Sequence, residues 1–316
     1  MPTPAWLTPS SPLRPSPVKP ETEFNRLALA TIFGPPLLAA AAMAGLWNRV
    51  VTWPDLLLLA GFYVATVLGL TVGFHRLFTH RSFECGTALR MTLGILGCMG
   101  AQGPIQFWVG THRQHHITSD TENDPHSPHA FGEGWGRTLR GWWHAHLGWM
   151  LRADLSGLVP HIRDLRRDAV VLRCDRYYFA WVALGLVLPG LLGLAIGGGL
   201  ASFLRGMLWG GLIRILLVHH VTWSINSVCH MIGSAPFATG DHSRNNLVCA
   251  LLSFGEGWHN NHHAAPTSAR HGFSARQPDV AWWFIRTCER LGWAWNVRRP
   301  DLVLLERKIQ PNLAIQ

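Results

Sequence analysis

The chain has 316 residues, 48% of them hydrophobic and only 14% charged, a charge share too low for an ordinary soluble domain of this length. Lys and Arg outnumber Asp and Glu by 27 to 18, a net charge of +9, yet no basic run of the kind that tracks nucleic acid occurs, so an anionic lipid surface or an acidic protein is the expected partner. Six scattered cysteines without a C-x-x-C pair exclude a dense disulfide framework and predict buried thiols in a reducing compartment.

Residues 1–23 are rich in Pro, Ser and Thr and lack the apolar core of a signal peptide, so they read as a disordered cytosolic tail. Leu27 to Trp47 is uncharged over 21 residues and Leu56 to Phe74 over 19. Each is long enough to cross a hydrocarbon core of about 30 Å as a helix. Pro35 and Pro36 predict a kink in the first. Met91 to Ala101 is uncharged for only 11 residues, too short to span, and reads as buried or re-entrant. Tyr177 to Leu204 is uncharged over 28 residues, and a last run extends from Gly206 to about Cys229, interrupted by Arg214. An intramembrane Arg is expected to lie inside the bundle and be paired.

The fold class that follows is all-α and integral to a membrane: four transmembrane helices in two hairpins, at about 27–47, 56–74, 177–204 and 206–229, within a single domain at 24–316. Lys and Arg number 3 in the N-terminal part, 12 from His75 to Arg176 and 9 after His230, while the two short turns hold only Arg49 and Arg205. The positive-inside rule therefore puts both termini and the large central loop on the cytosolic side, where they would form a helical cap.

Histidines cluster at three places on that side: "HRLFTH" holds His75 and His80, "HRQHH" holds His112, His115 and His116, and "HNNHH" holds His259, His262 and His263. Positions i, i+3 and i+4 fall within roughly a 100° arc of a helix, so each H-x-x-H-H box is expected to face one object. The spacing i, i+5 spreads over about 140° of an ideal helix, so His80 is expected where its helix frays or ends. Isolated surface histidines are the bland alternative, but three clusters on one face, two with a shared spacing, point to metal. Eight imidazoles exceed what zinc uses, and imidazole suits iron as well, so two irons with about four or five nitrogens each is the economical count. Soluble di-iron bundles use Glu ligands, which are almost absent here.

These boxes, together with "NSVCH" and "SRNNLVCALLSFGEGWHNNHH", resemble the membrane fatty-acyl desaturases of the stearoyl-CoA desaturase type from about Gly73 to Pro300, with further family-like pieces in "DPH", "HLGWM" and "DRYYFAW". The resemblance implies that His75, His80, His112, His115, His116, His259, His262 and His263 are metal ligands, His230 a ninth, and that Asn226 reaches the metal through a water. It also implies that Trp108, Thr222 and Trp223 bend the acyl chain beside the metals. It carries the di-iron cofactor, O2 as co-substrate and a cis double bond in a saturated chain, placed at Δ9. No separate acid or base is assigned.

Removing two hydrogens from an unactivated methylene pair is beyond any side-chain acid or base. It requires two electrons from outside, and the chain has no haem motif, Fe–S cysteine spacing or dinucleotide fingerprint. A ferredoxin or small b-type cytochrome with its reductase is implied. Animal acyl-CoA members of the family carry an Arg-Asp pair just before the second box, where Gly110 and Thr111 stand here. The stretch looks more like bacterial and cyanobacterial relatives, which points to a bacterial inner membrane and keeps lipid-esterified chains beside the acyl-CoA thioester as substrates. A membrane hydroxylase or alkane monooxygenase is the enzymatic alternative and a His-rich metal transporter the non-enzymatic one. Asp124 and Glu256 are expected to orient ligand imidazoles from behind. The other nine histidines are left unassigned, and Val280 to Trp295 suits either an interfacial helix or core packing.

Overall fold

Backbone that meets no water must satisfy its own hydrogen bonds, and the apolar runs of this chain do so as helices. A computed structural model describes residues 21–45, 51–151 and 156–310. Helix α1 is Glu21–Gly45 and continues through Pro35 and Pro36, with its apolar stretch at Ile32–Ala44. Of the expected tail, residues 1–20 lie outside the described part and Glu21 already belongs to α1. Residues 46–47 of the first expected span also lie outside it.

Among the described residues three helices are long and apolar enough to cross a membrane: α2 (Trp53–Thr79), α7 (Tyr178–Gly197) and α8 (Gly199–His230). Between α2 and α7 come α3 (Thr87–Cys98), α4 (Ile105–Thr118), α5 (Trp135–His146) and α6 (Ala169–Arg176). After α8 follow α9 (Leu247–Leu252), α10 (His259–Ala264), α11 (Val280–Arg290) and α12 (Leu302–Glu306). The short strands β1 (Glu84–Cys85) and β2 (Ala294–Trp295) pair antiparallel and tie the C-terminal part to the chain just beyond the first histidine box.

Two span boundaries differ from the sequence reading. The turn expected at Arg205 lies instead at Gly198 and Gly199, both in the left-handed region with φ of 66° and 70°, which only glycine adopts without cost. Arg205 is therefore helical, and its Nε donates to Asp55 Oδ2 at 3.1 Å, joining α8 to the start of α2. Asp55 also accepts from Thr52 N at 2.7 Å and Thr52 Oγ1 at 2.8 Å, closing the first turn of α2. The second boundary is the end of α2, which runs past Phe74, so His75 is within the helix rather than beyond it.

The short helix α3 packs on the last third of α2 at a crossing that only small residues permit. A Cβ on Gly69 would lie 2.3 Å from Gly97 N, and one on Gly97 would lie 2.3 Å from Phe74 Cε1. Phe74, Phe78, Leu93, Ile105, Val171 and Ile285 form one buried core with these helices. Helix α11 contributes Ala281, Ile285 and Cys288 to that core and leaves Trp283 exposed, so it is packed on one face. All six cysteines are buried and unpaired.

Arg214 is fully buried, as expected, but its partners are carbonyls: Met99 O at 2.5 Å, Gly185 O at 2.7 Å and Gly210 O at 3.2 Å. Gly185 lies four residues before Pro189, which has no N–H to give it. Met99 is the C-cap of α3, where carbonyls lack intrahelical donors. Arg214 thus satisfies acceptors that helix geometry leaves open.

Candidate metal centre

The last eleven residues of α2, Gly69–Thr79, are wound as a π-helix, and His80 N closes an i→i+5 bond to His75 O at 3.1 Å. This wider winding, ending at His80, stacks two residues five apart that an α-helix would point in different directions. His112, His115 and His116 lie on α4, His230 ends α8, and His259, His262 and His263 lie on α10.

The structure sorts these nine rings into two sets. His75, His80, His112, His116 and His262 offer nitrogens within 4.8 Å of one another, and so do His115, His230, His259 and His263. Neither H-x-x-H-H box faces one object as a unit. In α4 the i, i+4 pair joins the set of five and His115 the set of four, whereas in α10 the i, i+4 pair joins the set of four and His262 the set of five. Two anchored sets lie side by side, so a residue 300° on from i meets the neighbouring set rather than its own.

The rings are fixed from behind by carboxylates. Glu256 is ion-paired with His75 Nδ1, Asp124 Oδ1 lies 3.1 Å from His115 Nδ1, Asp120 Oδ2 lies 2.8 Å from His230 Nδ1 and Asp241 Oδ2 lies 2.6 Å from His263 Nδ1. Asp124 and Glu256 were legible from their place beside the boxes. Asp120 and Asp241 were not, because nothing in loop sequence spacing says which carboxylate meets which ring. Burial works to raise the Asp120, Asp124 and Asp241 carboxyls, but their histidine partners outweigh it and hold all three below the usual carboxylate range. Glu256 is held low in the same way by His75 and Arg76. Arg76, fully buried, donates its Nε to Glu256 at 3.1 Å and its Nη1 to Asp279 Oδ2 at 3.2 Å, so Glu256 is itself braced.

In its neutral form, a ring whose Nδ1–H is given to a carboxylate has a bare lone pair on Nε2. Three such lone pairs, from His115, His230 and His263, converge in the set of four. His230 Nε2 lies 3.0 Å and His263 Nε2 3.1 Å from His259 Nε2, and one proton on His259 cannot serve both. His115 Nε2 is buried without a hydrogen-bond partner. In the set of five, His75 Nε2 is 3.1 Å from His262 and His80, and His116 Nε2 is 2.9 Å from His262 and 3.0 Å from His112. Burial, reinforced by neighbouring rings, pushes His112, His116, His259 and His262 well below the ordinary imidazole value, so they are neutral. Neutral rings with facing lone pairs fit cations. With metal–nitrogen bonds of about 2.1 Å, adjacent ligands on a right-angled shell are about 3.0 Å apart and tetrahedral ones about 3.4 Å, so the spacing suits five- or six-coordinate ions better than structural zinc.

A narrow cleft of about 50 Å³ opens from these rings between the spans, bounded by His75, His112 and His259 at one end and by Val67, Leu70 and Ile225 along it. Trp108, Thr222 and Asn226 are in its wall. Trp223 is not; it packs at 5.8 Å from the His146 ring and 4.8 Å from that of His219. Gln102, which the sequence did not single out, accepts from Trp108 Nε1 at 3.2 Å and donates to Thr222 Oγ1 at 2.8 Å, bracing both walls. His271 joins Glu256 at 3.3 Å and His126 lies 3.7 Å from Asp124, so two of the unassigned histidines back the site.

Two buried sets of imidazoles that could hold metal ions thus lie beside an apolar cleft between membrane-length helices. The family model described as Fatty acid desaturase matches residues 51–299, and the chain belongs to that family. It is 40% identical over 276 residues to the hex-5-enoyl-[acyl-carrier protein] acetylenase of Moorena producens (strain JHB), covering 87% of this chain and 86% of that one. It is 41% identical over 244 residues to the sn-1 stearoyl-lipid 9-desaturase of Anabaena variabilis, covering 76% and 82%. Against the icosanoyl-CoA 5-desaturase of Limnanthes douglasii it is 38% identical over 272 residues, covering 84% and 70%.

Proposed function

We propose that the chain is an O2-dependent desaturase that introduces a cis double bond at Δ9 of a saturated fatty-acyl thioester. The observation that carries this reading is the convergence of nine imidazoles in sets of five and four, with His75, His112 and His259 of these sets lining an apolar cleft. His75, His80, His112, His116 and His262 would hold one iron and His115, His230, His259 and His263 the other, with Asn226, one turn before His230, reaching an ion through a water. The chemistry the irons supply is the reductive activation of O2 that breaking two unactivated C–H bonds demands.

The protein's part is placement. Gln102 fixes Trp108 and Thr222 against each other, so the chain threading between them has one register beside the rings. Trp223, behind the wall, would bend the chain through its packing on α8. The four carboxylates keep Nδ1 protonated and Nε2 free, and the apolar wall excludes water from the reacting carbons.

A lipid-esterified substrate is the second reading, favoured by Gly110. Its Cα sits against Leu158 and Ile162, where a Cβ would lie 3.2 and 3.1 Å from their carbons, so the position of the family's Arg-Asp pair is filled by packing and has no head-group contact to offer. We take four spans, a single domain from α1 onward, and a cytosolic site in a bacterial inner membrane as the arrangement that serves this reaction. The test is expression in a host lacking unsaturated fatty acids, with acyl-CoA and lipid fractions read separately by mass spectrometry. A new cis-Δ9 alkene that disappears in His262→Ala is expected. An alcohol product would indicate a hydroxylase, and metal uptake into vesicles without O2-dependent lipid change a transporter.

A further inference from the structure

The desaturase reading requires electrons to reach the rings from outside, and one basic surface beside the ligand-bearing helix suits a protein that brings them. Arg113, between His112 and His115 on α4, is fully buried. It donates to Phe78 O at 2.9 Å, Thr79 O at 2.9 Å, His161 O at 2.7 Å and both oxygens of Asp164 at 2.7 and 3.0 Å. One side chain therefore clamps the end of α2 and the segment 156–167 to the ligand-bearing helix. Next to the clamp is a surface hollow of about 810 Å³ lined by Val159, Arg163, Asp164, Arg166 and Arg167, wide enough for several carboxylate side chains rather than a lone ion.

The carboxylates of the segment are already engaged: Asp164 with Arg113 and with Arg81 at 2.6 Å, and Asp168 with Arg90. Arg166 and Arg167 are exposed and have no carboxylate of their own among the described residues. The hollow lies behind α4. Trp108 and His112, four apart, face the cleft, while Gly110, about 200° round the helix from each, faces Leu158 and Ile162. A carrier delivering an acyl chain must reach the cleft, whereas an electron donor needs only proximity to the rings, and Arg113, between the ligand-bearing His112 and His115, is hydrogen-bonded directly to Asp164 of this surface.

We propose that the surface formed by Arg163, Arg166 and Arg167 is the landing site of an acidic one-electron donor protein. The proposal rests on the desaturase reading, since that reaction is what calls for such a donor. Charge complementarity of this kind steers encounter and is screened by salt.

The test uses the full-length, iron-loaded protein in nanodiscs of zwitterionic lipid and an acidic [2Fe–2S] ferredoxin. For R166E/R167E the dissociation constant for oxidised ferredoxin at low salt is expected to rise at least about tenfold, and its salt dependence to flatten. The equally charge-changed R276E/R307E, at exposed positions elsewhere, should stay within about twofold of the parent. In turnover, KM for reduced ferredoxin should rise by a similar factor while the rate with a small-molecule reductant is kept. Should reversal misfold the protein, R166Q/R167Q must show the same ordering at reduced size. Unchanged ferredoxin affinity overturns the proposal, and so does a variant that keeps ferredoxin but loses anionic vesicles, which would assign the surface to lipid. Absence of alkene with both reductants would count against the desaturase reading and not against the landing site, which the affinities alone decide.

Discussion

Replacing Asp241 by Asn changes one atom and is expected to silence one ligand. Asp241 Oδ1 accepts three hydrogen bonds, from Ser243 N at 3.0 Å, Ser243 Oγ at 2.5 Å and Thr239 Oγ1 at 2.6 Å, while Oδ2 takes His263 Nδ1–H at 2.6 Å. An Asn must keep its carbonyl oxygen where three donors converge, which turns its NH2 toward His263. Two donors then face each other, and the ring relieves this by moving its proton to Nε2. Nε2 is the atom that lies 3.1 Å from His259 Nε2 within the set of four, and once protonated it cannot bind a metal. Losing an orienting partner typically costs 10–100-fold in metal affinity, about 1.4–2.8 kcal/mol. Iron titration of the metal-free protein should therefore show one of two binding steps weakened by that factor while the other is unchanged. In an H263A background, D241N should add little, because its effect passes through the ring already removed. Iron affinity within twofold of the parent, or full additivity of the two changes, would refute the tautomer argument.

Acidification should destabilise the metal-free protein. Burial lowers His146 from 6.5 to about 4 and His126 to about 3, so the unfolded chain binds their protons first as pH falls. Stability is complete above about pH 6.5 and erodes down to about pH 3, whereas the carboxylates, held low, begin to lose their contribution only below about pH 4; a melting temperature flat from pH 7 to 5 would contradict this. Arg214→Met should lower the melting temperature in detergent by leaving the carbonyls of Met99 and Gly185 without donors, at about 1–3 kcal/mol each. Adding Pro189→Ala supplies a helical N–H to Gly185 and should recover part of that loss, and no recovery would mean the carbonyl is not the cause. Gln102→Leu should leave iron content unchanged while spreading the double bond over neighbouring positions, seen by mass spectrometry of the products, because Trp108 and Thr222 lose their shared brace.

The sequence by itself determined what lies within reach of local rules. Three of the four long runs gave membrane-length helices among the described residues, the first kept a shorter apolar stretch at Ile32–Ala44, and the short run at Met91 to Ala101 became the 12-residue helix Thr87–Cys98. The histidine spacings marked the candidate metal centre, because imidazoles at a helical repeat are informative without their partners. The tertiary structure alone decided how the boxes divide between two sets, since that depends on where α4, α10 and the π-wound end of α2 cross. It alone paired Asp120 with His230 across 110 positions and Asp241 with His263 across 22. It also placed the hairpin turn at two glycines instead of at the lone arginine, because backbone conformation ends a helix there and charge does not. Periodicity along a chain encodes which face of a helix is apolar or reactive, but contacts between distant segments follow from packing of the whole, and that information is in no single stretch of residues.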